Sequence, residues 1–463
     1  MKKLTRILIC FMLCVFGFGL VACGDPRTKE EKNFTYPTSG DYTYGNGGLA
    51  VKKGNYVYFV NGFNSVGNIS NKNDSYTLGS LMLMKLGSNG EIVTNENGLL
   101  NDDYYITMNE KLCGYEATNL FIHGKYLYFV SPCLENESGD EIWAKERVVF
   151  NRIKLDKSSE VEEIYSSGVK YENLEYQYYV DGGNLFILAL EKGDSYYENN
   201  GKDALVRVDV SSKSSSVVSN DVSEVLFSDN ANEIFFTKHS SSDEKYYLKQ
   251  YKVGSNQTIS YNNFDKTFDI IAVENGKVFV SISHNYGSST DIKSSTIANK
   301  SGFQLVVGFS ESYEVSVTPN GNVVLVSENE FKLVKDQDEF VSIKDEEASS
   351  IDIIDYTNGC ILYYDSNDNG SSLKLVSYSN ALAGSEVEIT TLTTISAVEE
   401  KYAYFDFSED ENMLYFYKKE GGNYYLNRIK VNNNYEETEE MVGVYLPDDI
   451  PEKEEVEEEI EEE

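Results

Sequence analysis

Residue types able to do chemistry are sparse in this 463-residue chain. It holds three histidines, His123, His239 and His284, too few for a His-rich metal site or a chain of His bases. No G-x-S-x-G, H-E-x-x-H, P-loop or C-x-x-C motif occurs. His123 reads as a turn or channel residue and His239 as a solvated loop residue. His284 reads as a loop residue near Tyr286. None has a Ser or Cys partner close in sequence, although a fold can assemble a relay from distant segments. One stretch resembles a cation loop: Asp365-Ser366-Asn367-Asp368-Asn369-Gly370 follows the first half of D-x-[DN]-x-[DN]-G, which makes Asp365, Asn367 and Asn369 weak calcium candidates. The acid required later in such loops is missing, because Leu373 stands at the ninth position and Val376 at the twelfth. Turn formers joining two strands account for the same residues. Neither a metal nor a cofactor is expected.

Binding chemistry is better supplied. Four long segments, 61–79, 131–146, 190–203 and 283–301, set Phe63, Tyr76, Trp143, Tyr196, Tyr197 and Tyr286 among Asn, Ser, Gly and Asp. Rigid aromatics among adaptable polar groups suit recognition of a protein surface or stacking on a sugar. The whole chain is rich in Tyr, Asn and Ser, so the loops also share a general bias. Net charge narrows the partners. With 40 Lys+Arg against 76 Asp+Glu the chain carries −36, which argues against nucleic acid and against an electrostatic dock on anionic lipid.

Cys23 has a different chemistry. Lys2, Lys3 and Arg6 precede an uncharged, mostly apolar run from Ile7 to Ala22, which ends in Leu20-Val21-Ala22-Cys23-Gly24. Sixteen residues fall short of the roughly 20 a spanning helix needs and fit a signal-peptide core. The order of charge, apolar run, small residues and Cys resembles the lipobox of bacterial lipoproteins. That resemblance implies cleavage after residue 22, two acyl chains on Cys23, and a protein on the outer face of the cell membrane. Residues 1–22 are then the signal peptide and 23–45 a polar tether. Cys10 and Cys14 leave with the signal, and Cys113, Cys133 and Cys360 remain. Cys113 and Cys133 read either as a pair or as two buried thiols.

The elements that must position these residues come from a repeat. An apolar strand runs into a tight turn, and a Tyr/Phe/Val-rich strand follows, as in LAVKKGNYVYFV (49–60), NLFIHGKYLYFV (119–130) and DIIAVENGKVFVSI (269–282). Asn275-Gly276, Asn320-Gly321, Asn358-Gly359 and Asp181-Gly182 lie between the paired strands and predict two-residue type I′ turns, whose central residues need positive φ. Third and fourth strands follow in most units. Weak alternation in the second strand fits a strand covered on both faces. Seven intervals from Tyr58 to Tyr415 average about 51 residues, close to the four-strand period of a β-propeller. The expected fold is therefore all-β, a propeller of four-stranded antiparallel blades over 46–446. Eight blades are read, with seven as the alternative. The fifth unit has a strand-poor stretch at 285–301 and the sixth is compact. The segment 447–463 reads as an acidic, disordered tail.

The recurring G-K/N-Y-hydrophobic-Y-F-V unit, clearest in 48–92, 119–157 and 402–431, resembles the low-density-lipoprotein-receptor-related-like propeller domains of clostridial and other Gram-positive lipoproteins. The resemblance implies the fold; that family brings no catalytic residues to carry over. The expected function is a membrane-anchored, non-catalytic binding or scaffold module that contacts a protein or cell-envelope glycan. The alternative is an envelope hydrolase or lyase with an acidic site at the propeller channel.

Overall fold

The computed structural model describes residues 27–29, 31–37, 40–44, 50–62, 79–93, 104–111, 120–132, 148–169, 173–193, 203–284, 287–300, 302–367, 370–395, 405–408, 413–420, 423–431 and 440–442. They form eight antiparallel sheets, seven of four strands and one of five. Numbered along the chain, the sheets are blade 1 (residues 50–111), blade 2 (121–166), blade 3 (174–220), blade 4 (222–264), blade 5 (269–309), blade 6 (314–344), blade 7 (350–395) and blade 8 (405–441). In each blade four consecutive strands pair in order. Hairpins need no long crossovers, so a short repeat suffices to encode each blade.

Burial shows which strand faces what. Second strands are covered on both faces, as in Asn184–Glu191, where every residue after Asn184 is buried. Fourth strands form the rim, as in Ser214–Asn220, where no residue is buried. First strands surround the axis, and hydrogen bonds join them around it: Glu224 Oε2 accepts from Ile270 N at 3.0 Å, and Tyr356 donates to Ser316 Oγ at 2.8 Å. The Asn275 amide likewise donates to the Asn320 carbonyl at 3.0 Å. A bulge recurs between the third and fourth strands, for example at Leu248/Lys249 and Ile292/Lys293. Such bulges twist an outer edge away from strand-on-strand aggregation.

The core lies in the seams. Blades 1 and 2 share Tyr58, Leu83, Leu127 and Phe129. Blades 4 and 5 share Phe235, Leu248, Val278 and Val280. One cluster joins Leu362 and Leu375 of blade 7, Phe416 and Leu426 of blade 8, and Phe59 and Met84 of blade 1, which closes the circle. Tyrosine suits a seam because its ring is apolar and its tip polar. Tyr58 donates to the Leu155 carbonyl of blade 2 at 2.7 Å. Tyr179 reaches Ser228 O of blade 4 at 2.9 Å, and Tyr261 reaches Thr296 O of blade 5 at 2.6 Å. This supplies a use for 36 Tyr in a chain with one Trp.

Three local expectations are corrected. The stretch 285–301 contains a full strand, Ser289–Thr296, paired with Lys277–His284. Its polar composition hid it, because Ile292 is the only apolar side chain in the strand. The turn after Asp181 has Gly182 (φ 57°) and Gly183 (φ 80°) at its centre, so Asp181 instead pairs with Asn184. At Asn320-Gly321 only Gly321 has positive φ. Pro319 precedes it, and the longer connection from Val317 to Val323 is closed by Gly321 N donating to Thr318 O at 2.7 Å. Asn275-Gly276 and Asn358-Gly359 do have positive φ at both positions.

An unanticipated feature lies at the axis. Gly40–Tyr44 forms a fifth strand on blade 2, paired with Phe121–Gly124, the first and hence innermost strand of that blade. Part of the segment read as a tether therefore lies inside the ring.

Candidate functional site

The ring has two unlike faces. Connections between strands 1 and 2 and between strands 3 and 4 emerge on one, here called the turn face. Connections between strands 2 and 3, and between successive blades, emerge on the other, the loop face. The described strand ends that flank 61–79, 131–146 and 190–203 open on the loop face, since each of these segments joins a second to a third strand; of 283–301 only the short connection from His284 to Ser289 does so, because Ser289–Thr296 is itself the third strand. Phe63, Tyr76, Trp143, Tyr196, Tyr197 and Tyr286 themselves lie outside the described residues, as do Cys23, Cys113 and Cys133.

First strands start at the loop face, and in five successive blades their first three residues include a carboxylate. Glu175 (blade 3), Glu224 (blade 4), Asp269 (blade 5), Glu314 (blade 6) and Asp352 (blade 7) surround one mouth of the channel. Asp269, Glu314 and Asp352 are exposed. Glu175 is paired with Lys192. Glu224 is tucked under blade 5. Burial pushes its carboxyl up to about 7, the Ile270 N–H opposes that shift, and the nearby Asp269 and Glu175 charges add to it. A carboxyl that keeps its proton near neutrality can give or take a proton at ordinary pH. The same group makes stability depend on pH. Its folded value lies above the unfolded one of about 4.3, so its contribution is full below that value and is lost as pH rises through about 7. Glu224→Gln is therefore expected to melt higher than the parent at pH 8, with the gain vanishing by pH 4.5. Equal melting temperatures at pH 8 would show that this carboxyl is not strained in the fold.

Outside this mouth, the loop face of blade 5 carries a charged cluster. His284 Nδ1 lies 2.9 Å from Lys266 Nζ, and Nε2 lies 3.0 Å from Asp291 Oδ2, which Lys293 approaches at 3.6 Å. His284 ends a second strand and is not a free loop residue. His239 also lies within a strand, with its ring 4.6 Å from that of Tyr246. His123 is on the first of the four consecutive strands of blade 2, where burial lowers its pKa against an opposing hydrogen bond with the Gly183 backbone.

The cation-loop candidate is resolved by where Asp365 points. Its side chain is fully buried and its Oδ2 lies 3.2 Å from Lys374 Nζ. Asn367 pairs with Gly370 across a two-residue connection, the arrangement of a plain hairpin. Asn369 and the Asn367 side chain lie outside the described residues. Among the described residues no group of His, Cys, Asp or Glu is placed to hold a metal ion.

The carboxylate mouth and the Lys374 cluster were not singled out from sequence. With 76 acids in the chain, a carboxylate carries no information until the repeats are aligned. Aligned by blade, an acid near the start of five consecutive first strands was a usable signal.

No protein-family profile matches the chain, and no curated protein matches it either. Solved structures do match in fold. The β-propeller domain of the Trilobed protease from Pyrococcus furiosus is 11% identical, with a TM-score of 0.44, covering 70% of this chain and 97% of that one. The Dos1 propeller is 12% identical, with a TM-score of 0.45, covering 84% and 95%. A prolyl endopeptidase is 13% identical with a TM-score of 0.46, and the match spans 70% of this chain but 49% of that one. The chain is an all-β propeller, a conclusion that rests on its own sheets and their closed order.

Proposed function

We propose that this protein is a lipid-anchored, extracytoplasmic propeller acting as a non-catalytic binding or scaffold module, and that its partner is a protein or a cell-envelope glycan. The observation that carries this reading is topological: the strand ends that flank all four aromatic-bearing connections open on one face of the ring. Convergence of long loops on a stiff scaffold is how binding surfaces are commonly built. The N-terminal pattern ending at Cys23 supports anchoring at the outer face of the membrane.

The test is a crosslinking pull-down from intact cells, read beside a glycan array. Trp143→Ala and the Tyr196→Ala/Tyr197→Ala pair are each expected to reduce capture at least tenfold, since buried aromatic anchors commonly carry 2 kcal/mol or more of binding energy. Unchanged capture by both variants would remove the loop face as the binding surface. A second reading, an envelope hydrolase or lyase, is favoured by one observation, the Glu224 carboxyl raised to about 7 beside Asp269. In that case Glu224→Gln abolishes turnover of envelope material and leaves capture intact.

A further inference from the structure

The described N-terminal residues, which begin at Arg27, show on which face the chain enters the ring. Arg27 sits on the turn face, where its Nη1 donates to the Asp156 carbonyl at 3.2 Å and its guanidinium lies 5.7 Å from the centre of the Tyr36 ring. Asp156 belongs to the connection between the third and fourth strands of blade 2. Tyr36 is buried in the seam of blades 1 and 2. Phe34 lies 5.0 Å from Tyr36 and 6.4 Å from Tyr56, the residue that follows the first turn of blade 1. From there the chain enters the channel. Gly40 pairs with Gly124 at the turn-face end and Tyr44 with Phe121 further in. Blade 1 then starts with Ala50 at the loop-face end and runs back. The segment thus climbs the channel from the turn face towards the acidic mouth.

We propose that residues 27–44 are an orienting clamp that seats the propeller with its turn face against the bilayer and its carboxylate mouth outward. This rests on the anchoring of Cys23 proposed above. Reach decides between a clamp and a leash. Four residue steps lead from Cys23 to Arg27, a span of at most about 14 Å. A free coil over the 22 steps from 23 to 45 has a root-mean-square span of roughly 26 Å, and lets the ring tumble. Packing of Phe34 and Tyr36 and pairing of Gly40–Tyr44 remove that freedom. Electrostatics agree, because an anionic leaflet disfavours the face bearing Asp269, Glu314 and Asp352.

The experiment places a fluorescent amino acid at Ser255, in a turn-face connection of blade 4, or at Ser242, in a loop-face turn of the same blade; both are exposed. The full-length protein purified from membranes is put into phosphatidylglycerol/phosphatidylethanolamine vesicles carrying a headgroup-attached quencher. Quenching at Ser255 is expected to exceed that at Ser242 at least threefold, and equal or reversed quenching overturns the orientation. A Phe34→Ala/Tyr36→Ala variant is expected to bring the two sites closer to equality with circular dichroism unchanged. If the difference survives in that variant, the clamp is not what orients the ring. Mass spectrometry of the same sample separates the two ideas, since an unmodified Cys23 sinks the anchor. In detergent, energy transfer to an acceptor at Gly24 is expected to be stronger from Ser255 than from Ser242. Stronger transfer from Ser242 would place the exit on the wrong face whatever the state of Cys23.

Discussion

Lys374→Met is expected to destabilise the protein by about 3–5 kcal/mol at pH 7.5, the cost of removing one partner from a buried ion cluster. Lys374 Nζ lies 2.9 Å from Asp345 Oδ2 and 3.2 Å from Asp365 Oδ2, and all three side chains are 5% exposed or less. Tyr363 donates to the same Asp345 oxygen at 2.9 Å. Asp345 comes from the link between blades 6 and 7, and the other three come from blade 7, so the cluster ties a connection to a sheet. Burial raises the Asp345 carboxyl, but Lys374 and Tyr363 outweigh burial and hold it below the ordinary range. For Asp365 burial wins, and its carboxyl is raised.

The two shifts have opposite consequences. Asp345 contributes stability above its unfolded value, and that contribution is lost as pH falls through its lowered folded value. Asp365 contributes most below its unfolded value and loses ground as pH rises through its raised one. Without Lys374 both carboxylates are buried with no counter-ion, so both are raised. The deficit of Lys374→Met should therefore be greatest at neutral pH and shrink towards pH 4.5. Urea midpoints at pH 7.5 and 4.5 check this. A deficit below 1 kcal/mol, or one equal at both pH values, would show that the three charges are not coupled. Adding Asp345→Asn and Asp365→Asn is expected to recover much of the loss, because a neutral cluster no longer isolates charge.

The second large effect concerns closure. Among the described residues no strand of blade 1 or blade 8 is borrowed from the other end of the chain, and side chains join the two blades. Arg428, buried in blade 8, donates to Glu440 Oε2 from Nε at 2.8 Å and lies 2.6 Å from it through Nη2. Nη2 also donates to the Gly90 carbonyl of blade 1 at 2.8 Å. The fourth strand of blade 8 is two residues long, Glu440–Met441, so this carboxylate contact helps hold the outer strand as well as the seam. Arg428→Ala is expected to cost about 2 kcal/mol, the range for hydrogen bonds from a charged donor, because Glu440 stays partly exposed, and to open the ring locally. Hydrogen exchange should speed up in blades 1 and 8 while blades 3–6 keep their protection. Uniform acceleration through all eight blades would mean that the ring opens only by global unfolding. Arg428→Lys is expected to keep the charge but lose the paired donors, and to fall between the two.

Much of the fold was legible, for a physical reason. A blade is made of sequence-local hairpins, so its turns and apolar runs appear in order along the chain. Asn275-Gly276 and Asn358-Gly359 mark their turns because so few residues tolerate positive φ. Legibility failed where local signals mislead. Ser289–Thr296 is a strand by pairing rather than by composition, and Pro319 lengthened a turn that Asn320-Gly321 alone would have kept tight. The candidate site was less legible. The loop face could be assigned, since strand order settles which connections share a side. The carboxylate mouth shows only once the repeats are aligned by blade, because its five acids come from five units that meet only after the ring is formed.

By itself the sequence determined the all-β repeat, the antiparallel four-strand unit and the face on which the long loops gather, because each depends on contacts between neighbours along the chain. Tertiary structure alone decided that Gly40–Tyr44 enters the channel, that Asp365 turns inward to Lys374, and that Arg428 meets Gly90. Those partners are brought together by closure, and no local preference of the chain encodes a contact between residues 338 positions apart.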